Sequence, residues 1–220
     1  MVTDDAFILH KINYKNSSEI VKLLTQSQGR IDAIARGSRG PKSPFKGQLQ
    51  AFVETTISFQ GRHDLKTLTQ AEQTGHAGAP AYLNQVAMLY CNELLLLLNM
   101  DDEHCGAVYP VYRQLIHDLG RSDSVALLLR YFELKLCALN GYALSIDHGL
   151  SDSDYLVFQP DHGLVASHSK KNCDAGTFRR FISHQPLSTE QLRGLNRLFR
   201  PIVNHLVGGR DIHSRRLLLT

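Results

Sequence analysis

The chain has 220 residues, of which 43% are hydrophobic and 20% are charged, and its formal net charge at pH 7 is +3. This composition is ordinary for a globular protein, and the length allows two small domains or one large one. The longest uninterrupted apolar run, Leu94–Leu98, is too short to span a bilayer, so we expect neither a membrane span nor a signal peptide.

The first seventy residues have the pattern of a small β-domain. The predicted strands begin near Phe7 and then cover Ile20–Thr25, Ile31–Ala35, Val53–Phe59 and Leu65–Ala71. Five short strands without a long intervening helix are typical of a small closed barrel such as an OB-fold. The same pattern also allows an SH3-like barrel.

From about Ala79 the apolar spacing becomes helical. Three helices are predicted before Asn140-Gly141, with Asp101–Glu103 as a loop between the first two, and a short hairpin is predicted near residues 155–168. Ser188 and Gln191 form a capping box that opens a last long helix. We therefore predict an α+β protein: an OB-fold domain over residues 1–78, then an α-helical domain over residues 79–220 with a small hairpin insertion.

A basic loop follows the third predicted strand. Glycine and proline exclude helix or central strand there, and no acidic residue lies between Ala33 and Gln50. The loop carries four cations, Arg36, Arg39, Lys42 and Lys46. Unpaired cations on a small β-domain favour contact with a nucleic-acid phosphate backbone, and Arg62 and Lys66 on the neighbouring hairpin extend the candidate site. The alternative is a solvated loop whose charge only aids solubility.

Charge is distributed unevenly along the chain. The net charge is zero over residues 1–29, +4 over 30–66, −7 over 67–160 and +6 over 161–220. The chain therefore has two basic regions around an acidic middle, which favours anionic partners more than the overall charge suggests. The second basic region contains five arginines at helical spacing: Arg179, Arg180, Arg193, Arg197 and Arg200. We interpret them first as a solvated helix face, and the alternative is that they extend the DNA-binding surface.

Several segments, taken in chain order, resemble the RecO family of bacterial recombination mediators. These segments are Ala6–His10, Gly29-Arg30, Ala35–Gly37 with Pro41–Ser43, Gly61–Leu68, Tyr90–Leu95, Arg130–Leu136, Leu139–Tyr142 and Leu206–Arg215. The resemblance implies an N-terminal OB-fold, a helical C-terminal domain and no bond-making activity. It also implies binding of single-stranded and double-stranded DNA, and annealing of complementary strands in RecF-pathway repair.

The resemblance further implies several protein partners. They are RecR, the acidic C-terminal tail of the single-strand binding protein and, indirectly, RecA, which the family helps to load onto protein-coated DNA. No cofactor is implied, and the expected location is the cytoplasm, in association with the nucleoid. Within the chain, Arg130 on an apolar helix is a candidate cation for the acidic tail, with Arg215 as a second. The alternative for Arg130 is an ion pair with Glu133 or Glu93.

The chain departs from the family in its cysteines. Many members carry four cysteines in a zinc module after the central helix, whereas residues 143–172 here contain none and Cys173 stands alone beyond them. The four cysteines of the chain are scattered without a CxxC pair, which also argues against a disulfide framework. We therefore expect no metal site, and we expect apolar contacts of Tyr155, Val157 and Leu164 to hold the hairpin.

Other readings stay open at this stage. Phe45, Tyr14 and Phe59 are possible base-stacking residues, and each is equally a candidate for the core. Arg30 is a candidate for DNA contact and equally a candidate for a surface strand residue without that role. The chain could instead be a protein-binding adaptor with an incidental basic loop, or an enzyme with a site built from His148, His162 and Asp161.

Overall fold

The structure is a computed structural model that describes residues 1–75, 78–98, 102–170 and 172–219, with only the backbone described for residues 102–105, 218 and 219. The elements in chain order are β1 (Val2–Tyr14), β2 (Ser18–Thr25), β3 (Gly29–Ala35), β4 (Glu54–Gln60), β5 (Leu65–Gln73), α1 (Tyr82–Leu97), α2 (Asp102–Leu119), α3 (Val125–Leu139), β6 (Tyr155–Gln159), β7 (Gly163–Ser167), α4 (Ala175–Ile182), α5 (Thr189–Leu206) and a 3₁₀ helix (His213–Leu219). The predicted five strands, hairpin and helices are confirmed.

The first five strands close into a barrel with the order β1-β2-β3-β5-β4. All neighbouring strands are antiparallel except β3 and β5, which are parallel, with Asp32 opposite Leu65 and Ala35 opposite Leu68. This crossover places β5 between β3 and β4, as in the Greek-key OB-fold, so the OB-fold and not the SH3-like barrel is the architecture formed. Apolar side chains of small and medium size fill the interior, among them Ile8, Leu23 and Ile57, which are fully buried.

The long connection between β3 and β4 covers one end of this barrel. Phe45 and Leu49 are both 5% exposed and belong to the barrel core. The side-chain amide of Gln73 at the end of β5 donates to the carbonyl of Gly47 at 2.8 Å. A loop held by buried side chains and by backbone hydrogen bonds has a defined conformation despite its glycines and prolines.

The chain separates into two compact units. The first contains Met1–Ser122 and the C-terminal residues from Ile212 on, and the second contains Asp123–Asp211. The first unit thus joins α1 and α2 to the barrel, whereas the predicted boundary at residue 78 follows the change from strands to helices. The prediction of a loop at Asp101–Glu103 is wrong for Asp102 and Glu103, which open α2, and Asp101 lies outside the described residues. Acidic residues are favourable in the first turn of a helix.

Buried polar contacts tie α1 to the barrel within the first unit. The Asn92 side-chain amide donates to the carbonyl of Leu9 at 2.9 Å, and its oxygen accepts from the Tyr112 hydroxyl of α2. Arg30 of β3 donates from Nη1 to Leu95 O at 2.6 Å and to Leu98 O at 3.0 Å, at the C-terminal end of α1. The last carbonyls of an α-helix have no intrahelical donor, so a side chain can pair with them. Arg30 is therefore a helix-capping residue of the first unit and not only a surface strand residue.

The second unit is built around one apolar core. The hairpin β6–β7 packs there against α3, α4 and α5 through Leu156, Phe158 and Leu164. The expectation for Tyr155 and Val157 is wrong by one position, since the strand turns Leu156 and Phe158 inward and leaves its neighbours half-buried. The capping box of Ser188 and Gln191 is confirmed. Among the described residues, no helix is long and apolar enough to cross a membrane.

Candidate nucleic-acid interface

The basic loop presents its cations on a fixed backbone. Arg36, Lys42 and Lys46 are exposed, and within the described part of the chain none of them forms an ion pair. The loop is anchored beneath them by Phe45, which lies in the barrel core. Exposed cations without carboxylate partners keep their full charge available for an anionic ligand. The sequence-based grouping of these three residues therefore corresponds to one segment of surface.

Arg39 has a second task in the same loop. Its Nη2 donates to the carbonyls of Lys15 at 2.6 Å and Asn16 at 2.9 Å, and its backbone N–H donates to Ser17 O at 2.9 Å. The loop is thereby fastened to the turn between β1 and β2. Arg39 remains exposed, so its charge still contributes to the surface. Its side chain nevertheless serves to hold the loop in place.

This fastening adds Lys15 to the cationic surface, a residue that sequence reasoning missed. Lys15 is exposed, adopts a left-handed backbone conformation with φ of 52°, and holds its ammonium 5.3 Å from the centre of the Tyr14 ring. It lies in the β1–β2 turn, and this turn contributes to ligand binding in OB-folds generally. The position of the turn in the predicted barrel could have indicated Lys15.

Arg62 and Lys66 lie near the start of β5, the strand that pairs with β3. Arg62 is exposed in the turn between β4 and β5, and Lys66 is half-buried opposite Ala33. Leu65 at the start of β5 pairs with Asp32, and Arg36 follows the last residue of β3, four residues or about 13 Å further along the chain. The structure thus places Arg62 at the opposite end of the β3–β5 pair from the loop. A ligand that contacts both must run along these strands.

Two of the three aromatic residues considered for base stacking, Phe45 and Phe59, are buried in the barrel core. Phe45 and Phe59 are 5% and 3% exposed, so neither stacks on a base, while Tyr14 is half-buried beside Lys15. Base stacking on aromatic side chains is the usual source of base contacts in OB-folds. The described barrel surface therefore favours contacts to phosphates over contacts to bases.

Arg130 is largely buried in the second unit and forms the predicted ion pair with Glu133. Its Nη2 lies 2.6 Å from Glu133 Oε1, and the side chains are 12% and 0% exposed. Its guanidinium carbon lies 5.5 Å from the centre of the Phe199 ring, and its buried Nε has no hydrogen-bond partner in the described structure. Of the two predicted ion-pair partners, Glu133 is therefore the one used. A carboxylate this deeply buried requires a paired cation.

Arg215, the second candidate for partner binding, lies in the first unit on the C-terminal 3₁₀ helix. Its guanidinium carbon is 5.9 Å from the centre of the Tyr90 ring on α1, within the range of a cation–π contact. Arg130 and Arg215 thus belong to different compact units. The two arginines predicted for partner binding therefore lie on different elements, Arg130 on α3 and Arg215 on the 3₁₀ helix.

Among the described residues, no group of three or more His, Cys, Asp or Glu side chains is placed to hold a metal ion. Cys137 and Cys173 lie in the core of the second unit as free cysteines. Burial raises the pKa of each thiol to about 12, with Glu133 and Asp174 adding to the effect at Cys137 and Cys173 respectively. Both side chains lie among apolar residues, where a buried thiol acts as a small apolar group.

The residues proposed for an enzymatic site lie on open surface. His148 is exposed in the segment before β6, and Asp161 and His162 are exposed in the β6–β7 turn. General acid–base chemistry depends on side chains positioned around a substrate, and usually on shifted pKa values within a cleft. The exposed turn supplies no such surroundings.

A closed OB barrel whose loop displays exposed cations, followed by a helical region with a small hairpin, is an architecture typical of nucleic-acid-binding proteins. The family model for the N-terminal domain of recombination protein O matches residues 1–76, and the model for its C-terminal domain matches residues 80–161. The chain belongs to the RecO family of recombination mediators in DNA repair.

Individual relatives match nearly the whole chain. DNA repair protein RecO of Nitrosospira multiformis is 32% identical over 229 residues, covering 97% of the chain and 93% of the relative. The same protein of Laribacter hongkongensis is 32% identical over 224 residues, covering 97% and 92%. That of Coxiella burnetii is 32% identical over 229 residues, covering 98% and 96%. The resemblance found in the sequence motifs is thereby confirmed.

Proposed function

We propose that the chain binds single-stranded and double-stranded DNA through its barrel, anneals complementary single strands, and helps to load a recombinase onto DNA coated by single-strand binding protein. The observation that carries this proposal is the anchored loop with its exposed cations Arg36, Lys42 and Lys46, joined by Arg39 and Lys15. Arg62 and Lys66 extend the surface along β5. Family membership supports the biological setting of DNA repair.

The mechanism is electrostatic. Each phosphate neutralised by a lysine or arginine releases condensed counterions, and two strands with part of their charge neutralised repel each other less. Annealing then proceeds by base pairing between strands that the protein holds by their backbones. The scarcity of exposed aromatic side chains on the barrel fits this role, because bases left unstacked stay free to pair.

The proposed protein partners are those that the resemblance implies: RecR, the acidic tail of single-strand binding protein and, indirectly, RecA. Arg130 is proposed to receive a carboxylate of the acidic tail, and Arg215 is a second proposed contact. The buried pair with Glu133 restricts this contact to the exposed edge of the Arg130 guanidinium.

The decisive experiment measures binding of a labelled oligothymidylate as a function of salt. The variant R36A/K42A/K46A should lower the slope of log K against log[salt] by about 2, because three phosphate contacts are lost at about 0.7 each for a single strand. Arg39 is kept, since its removal would also free the loop. A charge-matched control, R121A/K135A/K170A, removes three exposed cations elsewhere and should leave the slope near that of the parent chain.

Annealing of complementary oligonucleotides should slow in the loop variant, with and without single-strand binding protein, and not in the control. If the loop variant binds and anneals DNA like the parent chain, the loop is not the DNA site. If the parent chain itself shows no salt-dependent binding, the protein is an adaptor whose basic loop is incidental.

A further inference from the structure

The helix α5 carries a row of arginines that the barrel-based function does not use. Arg193, Arg197 and Arg200 are exposed and follow each other at spacings of four and three residues. At 1.5 Å rise per residue they lie on one side of the helix and cover about 10 Å along its axis. They share this exposed face with a single acidic residue of α5, Glu190 at its first turn.

The opposite face of α5 fixes the position of this row. Leu195, Leu198, Phe199 and Ile202 are buried in the core of the second unit. At Gly194 the helix packs against the segment after β7, with a Cβ position 3.5 Å from the Cα of Cys173, an ordinary van der Waals distance. The arginines therefore project from a helix that is packed along its length, and their common orientation is a property of the folded unit.

Two arginines of the row keep their charge free of carboxylate partners in the part of the chain that the structure describes. Arg193 and Arg200 form no ion pair within the described structure, unlike Arg179 of α4, which pairs with Asp152. The helix α5 itself carries three arginines and one carboxylate, a net charge of +2. A surface of this kind raises the local concentration of anions.

The composition of the face distinguishes between possible anionic partners. Protein–protein interfaces have a core depleted of charge and enriched in aromatic residues, whereas protein–nucleic acid interfaces are more polar and more strongly positive. Of the large apolar side chains exposed on the described surface, none belongs to α5. Arginine also presents a planar fork that matches the oxygens of a phosphate.

We propose that the exposed face of α5, formed by Arg193, Arg197 and Arg200, is a second phosphate-binding surface that holds a nucleic-acid strand independently of the barrel. It contacts the sugar–phosphate backbone without reading sequence. The proposal rests on the chain being a DNA-binding protein, and it adds a contact in the second unit to the one proposed for the first.

The test uses the full chain and a labelled oligothymidylate. The variant R193A/R197A/R200A should lower the salt slope by about 2, from three contacts at about 0.7 each. The same loss should occur when the substitutions are added to R36A/K42A/K46A, because separate surfaces contribute independently. The variant R193K/R197K/R200K keeps the three charges and should retain most of the slope. All six positions are exposed, and thermal unfolding by circular dichroism verifies that each variant is folded.

The outcomes separate this proposal from the proposed function. A normal slope in folded R193A/R197A/R200A, with a reduced slope in the loop variant, overturns the α5 surface and leaves the barrel site standing. A reduced slope in the α5 variant with a normal slope in the loop variant supports the α5 surface and removes the loop. If the α5 variant keeps its DNA slope but loses binding to a poly-glutamate peptide, the face serves an acidic protein and the proposal is wrong.

Discussion

The carboxylate of Glu93 on α1 accepts hydrogen bonds from both the backbone N–H of Ser214, at 2.8 Å, and its hydroxyl, at 2.5 Å. It also accepts from the backbone N–H of His213 at 2.8 Å. The carboxylate thus caps the first turn of the C-terminal 3₁₀ helix, where backbone N–H groups lack partners. The helix held in this way carries Arg215, which faces the Tyr90 ring.

Glu93 should make the stability of this attachment depend on acid pH. Burial tends to raise the pKa of Glu93, but the hydrogen bonds from Ser214 and His213 outweigh it and lower the pKa below its ordinary value of 4.5. A carboxyl group with a depressed pKa in the folded state stabilises the fold above its ordinary pKa. This contribution is lost as the pH falls through the lowered value.

Replacing Glu93 with Ala should destabilise the first unit by about 1.5–3 kcal/mol at pH 7, the usual contribution of hydrogen bonds to a charged group. The measurements are denaturant unfolding and amide hydrogen exchange at residues 213–217. E93Q should flatten the fall in stability below pH 4.5. The exposed Glu72 provides the control: E72Q should change neither quantity, and equal exchange in E93A and the parent chain would contradict the capping role.

Arg130→Ala should destabilise the second unit by about 3–5 kcal/mol, because it leaves the fully buried Glu133 without its cation. The double variant R130M/E133L replaces the pair with apolar side chains of similar length and should recover most of the loss. Urea unfolding measures both. If R130A unfolds like the parent chain, the ion pair contributes nothing to stability.

The double variant also tests the proposed contact with the acidic tail without the complication of unfolding. Binding of a single-strand binding protein tail peptide should fall about tenfold or more in R130M/E133L, since a charge-assisted hydrogen bond contributes about 1.5–3 kcal/mol. Annealing of naked oligonucleotides should be unchanged. Normal peptide binding by the folded double variant would show that Arg130 has a structural role alone.

The sequence predicts this fold at the level of its elements, because apolar spacing and turn residues report local structure directly. The capping box at Ser188 is one example, and another is the strand predicted at Ile31–Ala35, which the structure extends to Gly29–Ala35. What a side chain contacts depends on packing between distant segments, which no local pattern contains. Phe45 therefore had two open readings until its burial placed it in the barrel core.

The candidate DNA-binding site also has features that the sequence predicts and features that only the structure shows. The cations of the loop are visible in the sequence because no acidic residue lies among them. The role of Arg39 is not, since it depends on carbonyls of Lys15 and Asn16 in a turn more than twenty residues away. The same contact brings Lys15 to the surface of the loop, so that the site includes a residue from another connection.

Arg39 should prove more important for the order of the loop than its neighbour Arg36. In R39A the loop loses two hydrogen bonds to the β1–β2 turn, so cleavage by a protease within residues 36–53 should become faster. R36A removes an equal charge and no such contact, and should be cleaved at the parent rate. Identical cleavage rates for R39A and R36A would show that buried Phe45 and Leu49 are sufficient to hold the loop.

The buried thiols of the second unit give a prediction about metal and reactivity together. Burial raises the pKa of Cys137 and Cys173 to about 12, so almost no thiolate exists at pH 8. Alkylation by iodoacetamide should be very slow at both positions in the native chain and fast in urea, as followed by peptide mass spectrometry. Raising the pH from 7 to 9 should increase the native rate, because the thiolate fraction of a thiol with a pKa of about 12 rises about tenfold per pH unit, but the rate should stay far below that in urea. Elemental analysis of the purified chain should find no stoichiometric zinc. One zinc per chain, or rapid native alkylation that zinc suppresses, would mean that Cys173 ligates a metal together with nearby histidines, and that the apolar core around the hairpin opens to allow it.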